Sequence, residues 1–204
     1  MFQNMPQRRV IQLCLCGLLL AAIILTGLLS ARLSAAGLSG ALAFTSGPGV
    51  WLDVPFIRQE KDGCGAASIA MVMQYWRTQQ SKPIDSSADA AEIQRVLYSS
   101  KDHGIHASDL ERYFQQNGFQ TFAFAGKRDD LKQHLGKGRP LIVALKPSAL
   151  ETSLHYVVVV GIDPGQDVVY VNDAAQRKLL KQDWPAFEKQ WSAVGHWTLL
   201  ALPR

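Results

Sequence analysis

Cys64 is the only cysteine outside an N-terminal apolar segment, and it lies in the stretch Gln59-Glu-Lys-Asp-Gly-Cys64-Gly-Ala-Ala-Ser68. Far downstream stand His155 and Asp173. A lone thiol ahead of a helix-forming run, with a histidine and a carboxylate elsewhere in the chain, is the pattern of a cysteine nucleophile. Thiol acyl chemistry needs a thiolate, a proton carrier and donors for the oxyanion formed on the attacked carbonyl. At a helix start, the dipole and the free backbone N–H groups favour negative charge on the thiol. Gly63 and Gly65 carry no Cβ and leave room for a substrate backbone. The Cys64 N–H and the side-chain amide of Gln59, five residues upstream, are the candidate oxyanion donors. The competing reading is a small apolar cysteine on a core helix. The flanking glycines and Gln59 are what set Cys64 apart from it.

The base is sought among His103, His106, His134, His155 and His196. His155 opens a valine-rich strand directly after a polar loop, and Asp163-Pro-Gly-Gln-Asp167 turns that strand back. If Ile162 pairs with Val168, Val157 faces Asp173; a shift of two residues sets His155 opposite Asp173. In both registers His155 and Asp173 share a face, because strand side chains alternate with period two. Asp173 is therefore the expected orienter of the ring, and Asn172 points to the other face. His103-Gly-Ile-His106, with Asp102 and Asp109 nearby, resembles a metal cluster only weakly, since no further ligand supports it. Asp163, Asp167 and Asp173 do not have the spacing of a calcium loop. Ser68 lacks the Gly-x-Ser-x-Gly elbow. Tyr75-Trp76 and His196-Trp197 read as core. No metal or other cofactor is expected.

The elements that must position these residues follow from periodicity. Thr45 to Gly49 reads as a linker and Val50 to Ile57 as an edge strand, given Pro55. From Gly65 a helix begins, with Ala66, Ile69, Ala70, Met73 and Trp76 at helical spacing. Lys82 to Ser87 is a loop and Ala88 to Ser99 a second helix. A third helix is capped by Ser108 and closed by Asn117-Gly118. Phe119 to Ala125 alternates as a strand, and Asp129 to Leu135 is a short helix. The last third is β: Leu141 to Leu145, His155 to Ile162 and Val168 to Val171, then a helix over Trp184 to Trp191 and a closing strand over His196 to Leu200. Helices first and a sheet afterwards predict an α+β domain whose N-terminal helical half packs on a C-terminal antiparallel sheet.

The chain has 204 residues, 48% hydrophobic and 19% charged, with a formal charge of +4. This suits one globular domain with an N-terminal extension. Residues 1–43 carry Arg8, Arg9 and Arg32 and no acid, leaving 18 basic and 17 acidic residues for the remainder. A near-neutral domain gives no reason to expect nucleic acid as a partner. Val10 to Leu29 is a charge-free run of twenty residues after Arg8-Arg9. It predicts a secretory signal, with Ala41-Leu42-Ala43 as cleavage pattern, or a membrane anchor if left uncleaved. Residues 44–204 are then expected outside the cytoplasm, on the periplasmic or extracellular face. Cys14 and Cys16 fall in the apolar run, so the exported part holds one cysteine and no internal disulfide.

Taken together, Val54-Pro-Phe-Ile-Arg-Gln59, Cys64-Gly-Ala-Ala-Ser68 and a helix ending in Tyr75-Trp76 resemble cysteine peptidase family 39 and its stand-alone relatives. The resemblance continues through Gly104 to Leu110, Gly138 to Val143, His155 to Asp163 and Val171-Asn-Asp173, and covers roughly residues 50 to 203. It implies a papain-like fold, with Cys64 as nucleophile, His155 as general base, Asp173 as its orienter and Gln59 as oxyanion donor. The Gln-to-Cys spacing is similar to that of the stand-alone relatives, while transporter-fused processing domains have it one residue longer. Ala66 stands where many members have proline. No transporter or ATPase pattern follows in these 204 residues, which leaves the substrate open between a double-glycine leader and another peptide or protein. The expected function is that of a thiol endopeptidase. A non-catalytic peptide-binding module, or another thiol acyltransferase or amidase on the same fold, would present a similar sequence.

Overall fold

The structure is a computed structural model that describes residues 49–147 and 154–204. The leader assigned to residues 1–43 lies outside the described residues, as does the linker 44–49 apart from Gly49. The chain opens with β1 (Val50–Trp51) and α1 (Cys64–Gln79), then a 3₁₀ turn at Ser86–Ala88. Next come α2 (Ala90–Leu97), α3 (Ala107–Gln116), β2 (Phe119–Ala125), α4 (Arg128–Gly136) and β3 (Leu141–Leu145). The order closes with β4 (His155–Asp163), β5 (Val168–Asp173), β6 (Arg177–Asp183), α5 (Trp184–Ser192) and β7 (Trp197–Pro203). An N-terminal helical region packs on an antiparallel sheet ordered β2-β7-β3-β4-β5-β6, with β1 added to the far end of β4.

The sheet has a core on each face. On one, Ile69, Met73 and Phe114 of the helices meet Ile142, Tyr156, Val158 and Leu199. On the other, Leu131 and Leu135 of α4 and Phe187 and Trp191 of α5 meet Leu141, Val143, Val157 and Val159. This explains why β3 reads as five apolar residues without alternation: every one is buried. It also explains α1, in which ten residues are buried. Its Gly65-Ala-Ala-Ser68 start lets the helix lie close to β4. A Cβ on Gly65 would stand 3.2 Å from Ile105 and 3.5 Å from Tyr156. Gly65 thus serves packing rather than substrate access, and Gly63 likewise turns toward protein, its notional Cβ 3.1 Å from the Glu60 carbonyl.

Three local expectations are corrected, and one strand is added. The first strand stops at Trp51 rather than Ile57. Pro55 has no N–H to give a ladder, and the Val54 carbonyl accepts instead from the Asn172 side chain at 3.2 Å. The helix expected from Ala88 starts at Ala90, where the Asp89 carboxylate accepts from the Glu92 N–H. Helix α3 is capped at His106, not Ser108; the extended backbone of His106 leaves its carbonyl to accept from Asp109 and Leu110. Strand β6 has no forerunner in the sequence reading. Arg177-Lys-Leu-Leu-Lys-Gln-Asp183 is an exposed edge with little apolar alternation, and only its pairing with β5 makes it a strand.

Candidate active site

His155 and Asp173 sit on neighbouring strands whose phase depends on one extra residue. From the turn, Asp163 pairs with Val168, Ile162 with Val169 and Gly161 with Tyr170. Continued without interruption, that register would bring Asp173 opposite Val158 and onto the face away from His155. A bulge between Gly161 and Val159 inserts Val160, and pairing resumes as Val159 with Val171 and Val158 with Asn172. The phase of β4 is reversed at that point. His155, Val157 and Val159 thereby come to share a face with Val171 and Asp173. The turn-end register is one residue away from the pairing of Ile162 with Val168, and past the bulge the strands take up that register, which sets Val157 opposite Asp173 and restores the expected facing. Gly161 is required there: a Cβ would lie 2.8 Å from that of Trp51 and 2.9 Å from the Val50 carbonyl.

The result is a hydrogen bond of 2.8 Å between His155 Nε2 and Asp173 Oδ1. Asp173 is 2% exposed. Its carboxylate also accepts from the Ala175 N–H at 3.0 Å and the Gln176 amide at 2.6 Å. Burial pushes its pKa up, but the His155 bond and charge, the Ala175 N–H and the Gln176 amide outweigh that and hold it below the usual carboxylate value. For His155 burial works downward. The hydrogen bonds to Asp173 and Cys64, and the negative charge of both, reverse the sign and raise it to about 10. With Nε2 given to Asp173, Nδ1 is the ring nitrogen left for Cys64.

Cys64 opens α1, with Gly63 at the helix cap and no side chain capping the first N–H groups. The thiol is a free, partly buried cysteine. Gln59 is brought alongside by its backbone: its N–H donates to the Ala174 carbonyl at 3.0 Å, one residue beyond Asp173. Its side-chain Oε1 is buried without a partner among the described residues. An unpaired buried amide oxygen is costly and calls for a functional or local explanation. Gln59, Cys64, His155 and Asp173 all line one cavity of about 320 Å³. A second hollow, of about 640 Å³, meets it at Cys64 and runs along Lys101 to Ala107 and Tyr156. The thiol therefore stands between two open arms of a cleft.

Several residues that hold this arrangement have no signal in the sequence reading. Asn172 is fully buried; its amide donates to the Val54 carbonyl, and its Oδ1 accepts from the Leu179 N–H at 3.0 Å. It ties the segment leading to Gln59 to β5 and β6. The Gln94 amide reaches the Lys61 carbonyl at 3.4 Å, and the Tyr98 hydroxyl donates to Asp62 at 3.1 Å. Both brace the loop between Gln59 and Cys64, Gln94 from α2 and Tyr98 from its C-terminal cap. They lie more than thirty residues from that loop in sequence, so only the packing of α2 on α1 connects them.

The other histidines are placed elsewhere. His196 is bonded to Glu188 at 2.7 Å and packs edge-on against Trp191. His134 packs against Phe124, and burial lowers its pKa. His106 binds Asp102, while His103 lies 3.9 Å from Asp62 at the cleft. Ser68 is buried and donates to the Tyr156 carbonyl.

Residues 51–198 match the Peptidase_C39 like family. Among solved structures, the chain is similar to a protein from Bacillus anthracis described as a C39-like peptidase, with 19% identity and a TM-score of 0.61 over 78% of this chain and 99% of that one. It is similar to a double glycine motif protease from an AMS/PCAT transporter, solved with the leader peptide, at 22% identity and a TM-score of 0.57 over 76% and 95%. It is also similar to the peptidase domain of Streptococcus ComA, a bifunctional ABC transporter involved in quorum sensing, at 18% identity and 0.57 over 73% and 98%. These likenesses establish the shared fold. No curated protein sequence matches the chain.

Proposed function

The chain belongs to the Peptidase_C39 like family, and from that premise we propose that it is a cysteine endopeptidase cleaving a peptide or protein outside the cytoplasm. The observation that carries the reading is the 2.8 Å His155–Asp173 bond in the wall of the cavity that Cys64 also lines. Asp173 fixes the ring and favours its protonated form, and the reacting form of the pair is thiolate and imidazolium. The thiolate attacks the scissile carbonyl. The oxyanion is received by the Cys64 N–H at the uncapped helix start and by the Gln59 amide. His155 gives its proton to the leaving amine, then takes one from the water that hydrolyses the thioester. Export follows from the charge-free run Val10 to Leu29 behind Arg8-Arg9, with an uncleaved segment serving as membrane anchor.

The test is a peptide-library digestion by the domain from residue 44 onward, together with mass-spectrometric search for an acyl group on Cys64. Cleavage by the wild type and none by Cys64→Ala is expected. Acylation of Cys64 without cleavage of any peptide bond would assign the site to another acyl transfer instead.

A further inference from the structure

Asp62 is the residue of this cleft that the proposed chemistry does not use. It lines the same cavity as Cys64 and His155, and its side chain is 30% exposed. Its backbone is left-handed, with φ +56°. Apart from glycine, aspartate and asparagine are the residues that tolerate this conformation best, and such outliers gather at functional sites. The carboxylate is aimed rather than loose: Oδ2 accepts from the Tyr98 hydroxyl at 3.1 Å. The basic side chain set against it is the His103 ring, at 3.9 Å and 71% exposed, and such an exposed, long contact contributes little.

Charge balance in the cavity isolates this group. Asp173 is spent on His155, the Ala175 N–H and the Gln176 amide. Arg58 gives its guanidinium to the carbonyl of Gln176, which lines the cavity. Asp102, in the adjoining hollow, is taken by Ser99 and His106. Among the described residues Asp62 is therefore the carboxylate at the thiol that lacks a close cationic partner. The same cavity is also lined by Pro147 and Leu154, apolar side chains suited to the methylene stem of a long side chain.

We infer that Asp62 is a specificity residue, and that the cleft selects peptides with a lysine or arginine at the residue whose carbonyl is attacked. This rests on the peptidase reading and names its substrate class. A cation held by a preformed, partly buried carboxylate gains a charge-assisted hydrogen bond that a neutral side chain cannot make, and an acidic one is repelled.

The test uses peptidyl acyloxymethyl ketones with lysine, norleucine or glutamate beside the reactive ketone, and intact-mass measurement of the rate at which Cys64 is labelled. Wild type should label at least about tenfold faster with lysine than with norleucine, and slowest with glutamate. In Asp62→Asn, which keeps a residue tolerant of the left-handed backbone and an acceptor for Tyr98, the lysine-to-norleucine ratio should fall to near one. Equal rates in the wild type, or a preference that persists in Asp62→Asn, would overturn the inference while leaving the peptidase reading intact. If iodoacetamide labels Cys64 but none of the peptidyl probes does and no library peptide is cleaved, the peptidase reading falls and this inference with it.

Discussion

In the proposed mechanism Asp173 and His155 divide one hydrogen bond into two roles with different tolerance to substitution. In Asp173→Asn, an amide oxygen can keep the contacts to His155 and the Ala175 N–H that Oδ1 makes. Its nitrogen would then meet the Gln176 amide, donor against donor. Loss of turnover should therefore be smaller for Asp173→Asn than for His155→Ala, as papain-like Cys-His-Asn sites show. Gln59→Ala should cost on the order of 10²–10³ in rate, the usual effect of losing one oxyanion donor. His196→Ala should be near neutral, because its ring is bonded to Glu188 away from the Cys64 cavity. Turnover of a cleavable library peptide by the four variants checks this order. If His196→Ala were inactive and His155→Ala active, the assignment would be wrong.

The same pair predicts a titration. His155 is raised to about 10 by Asp173 and Cys64 against the pull of burial. Removing the Cys64 charge, by Cys64→Ala or by alkylation, should lower the His155 pKa, and Asp173→Asn should lower it further. NMR titration of the ring reads this directly; a midpoint indifferent to both changes would contradict the coupling. The stability consequence has a definite sign. His155 is raised above its unfolded value of about 6.5, so its contribution is complete below that pH and is lost as pH climbs through about 10. Asp173 is lowered, so its contribution is present above its unfolded value and lost as pH falls through the depressed one. The Tm difference between wild type and His155→Ala should be widest between about pH 4 and 6.5 and shrink toward pH 10.

At the scale of elements, β4 is the critical strand. It pairs with β3 and β5 along most of its length and with β1 at its end, and its bulge at Val160 sets the face of His155. Gly161→Ala would drive a Cβ into Trp51 and the Val50 carbonyl, so β1 or the bulge must shift. A loss of about 1–3 kcal/mol is expected, read as a lower denaturation midpoint. Asn172→Ala should cost a similar amount, about 1–3 kcal/mol, since the Leu179 N–H is left without its Asn172 acceptor. It should also lower turnover beyond its stability effect, because the segment carrying Gln59 loses its tie to β5. Retention of full activity at a temperature where the variant is folded would show that this tie does not position Gln59.

For the whole molecule, the partition of charge predicts topology. Arg8 and Arg9 precede a run without charge, and the rest of the chain is nearly neutral. An alkaline phosphatase fused at the C-terminus should be active outside the cytoplasm. An inactive phosphatase fusion, with a cytoplasmic reporter active at the same point, would sink the export reading. The exported part should present one titratable thiol.

What the sequence determined by itself was whatever depends on local order. The lone Cys64 at a helix start, Gln59 five residues before it, the valine strand behind His155 and the turn at Asp163 are all legible because helix and strand periodicities are short-range properties. The α+β layering was legible for the same reason. Tertiary structure decided what local order leaves degenerate. A strand phase can be reversed by one inserted residue, and period-two alternation does not say where the insertion falls; in β4 it falls at Val160, next to the residues that pair with β1. Strand β6 is polar and takes its form from its neighbour. Gly65 looks like an opening for substrate until Ile105 and Tyr156 pack against it. The left-handed turn at Asp62 and its Tyr98 partner belong to this second class, since a contact between residues 36 apart in sequence exists only once α2 has docked.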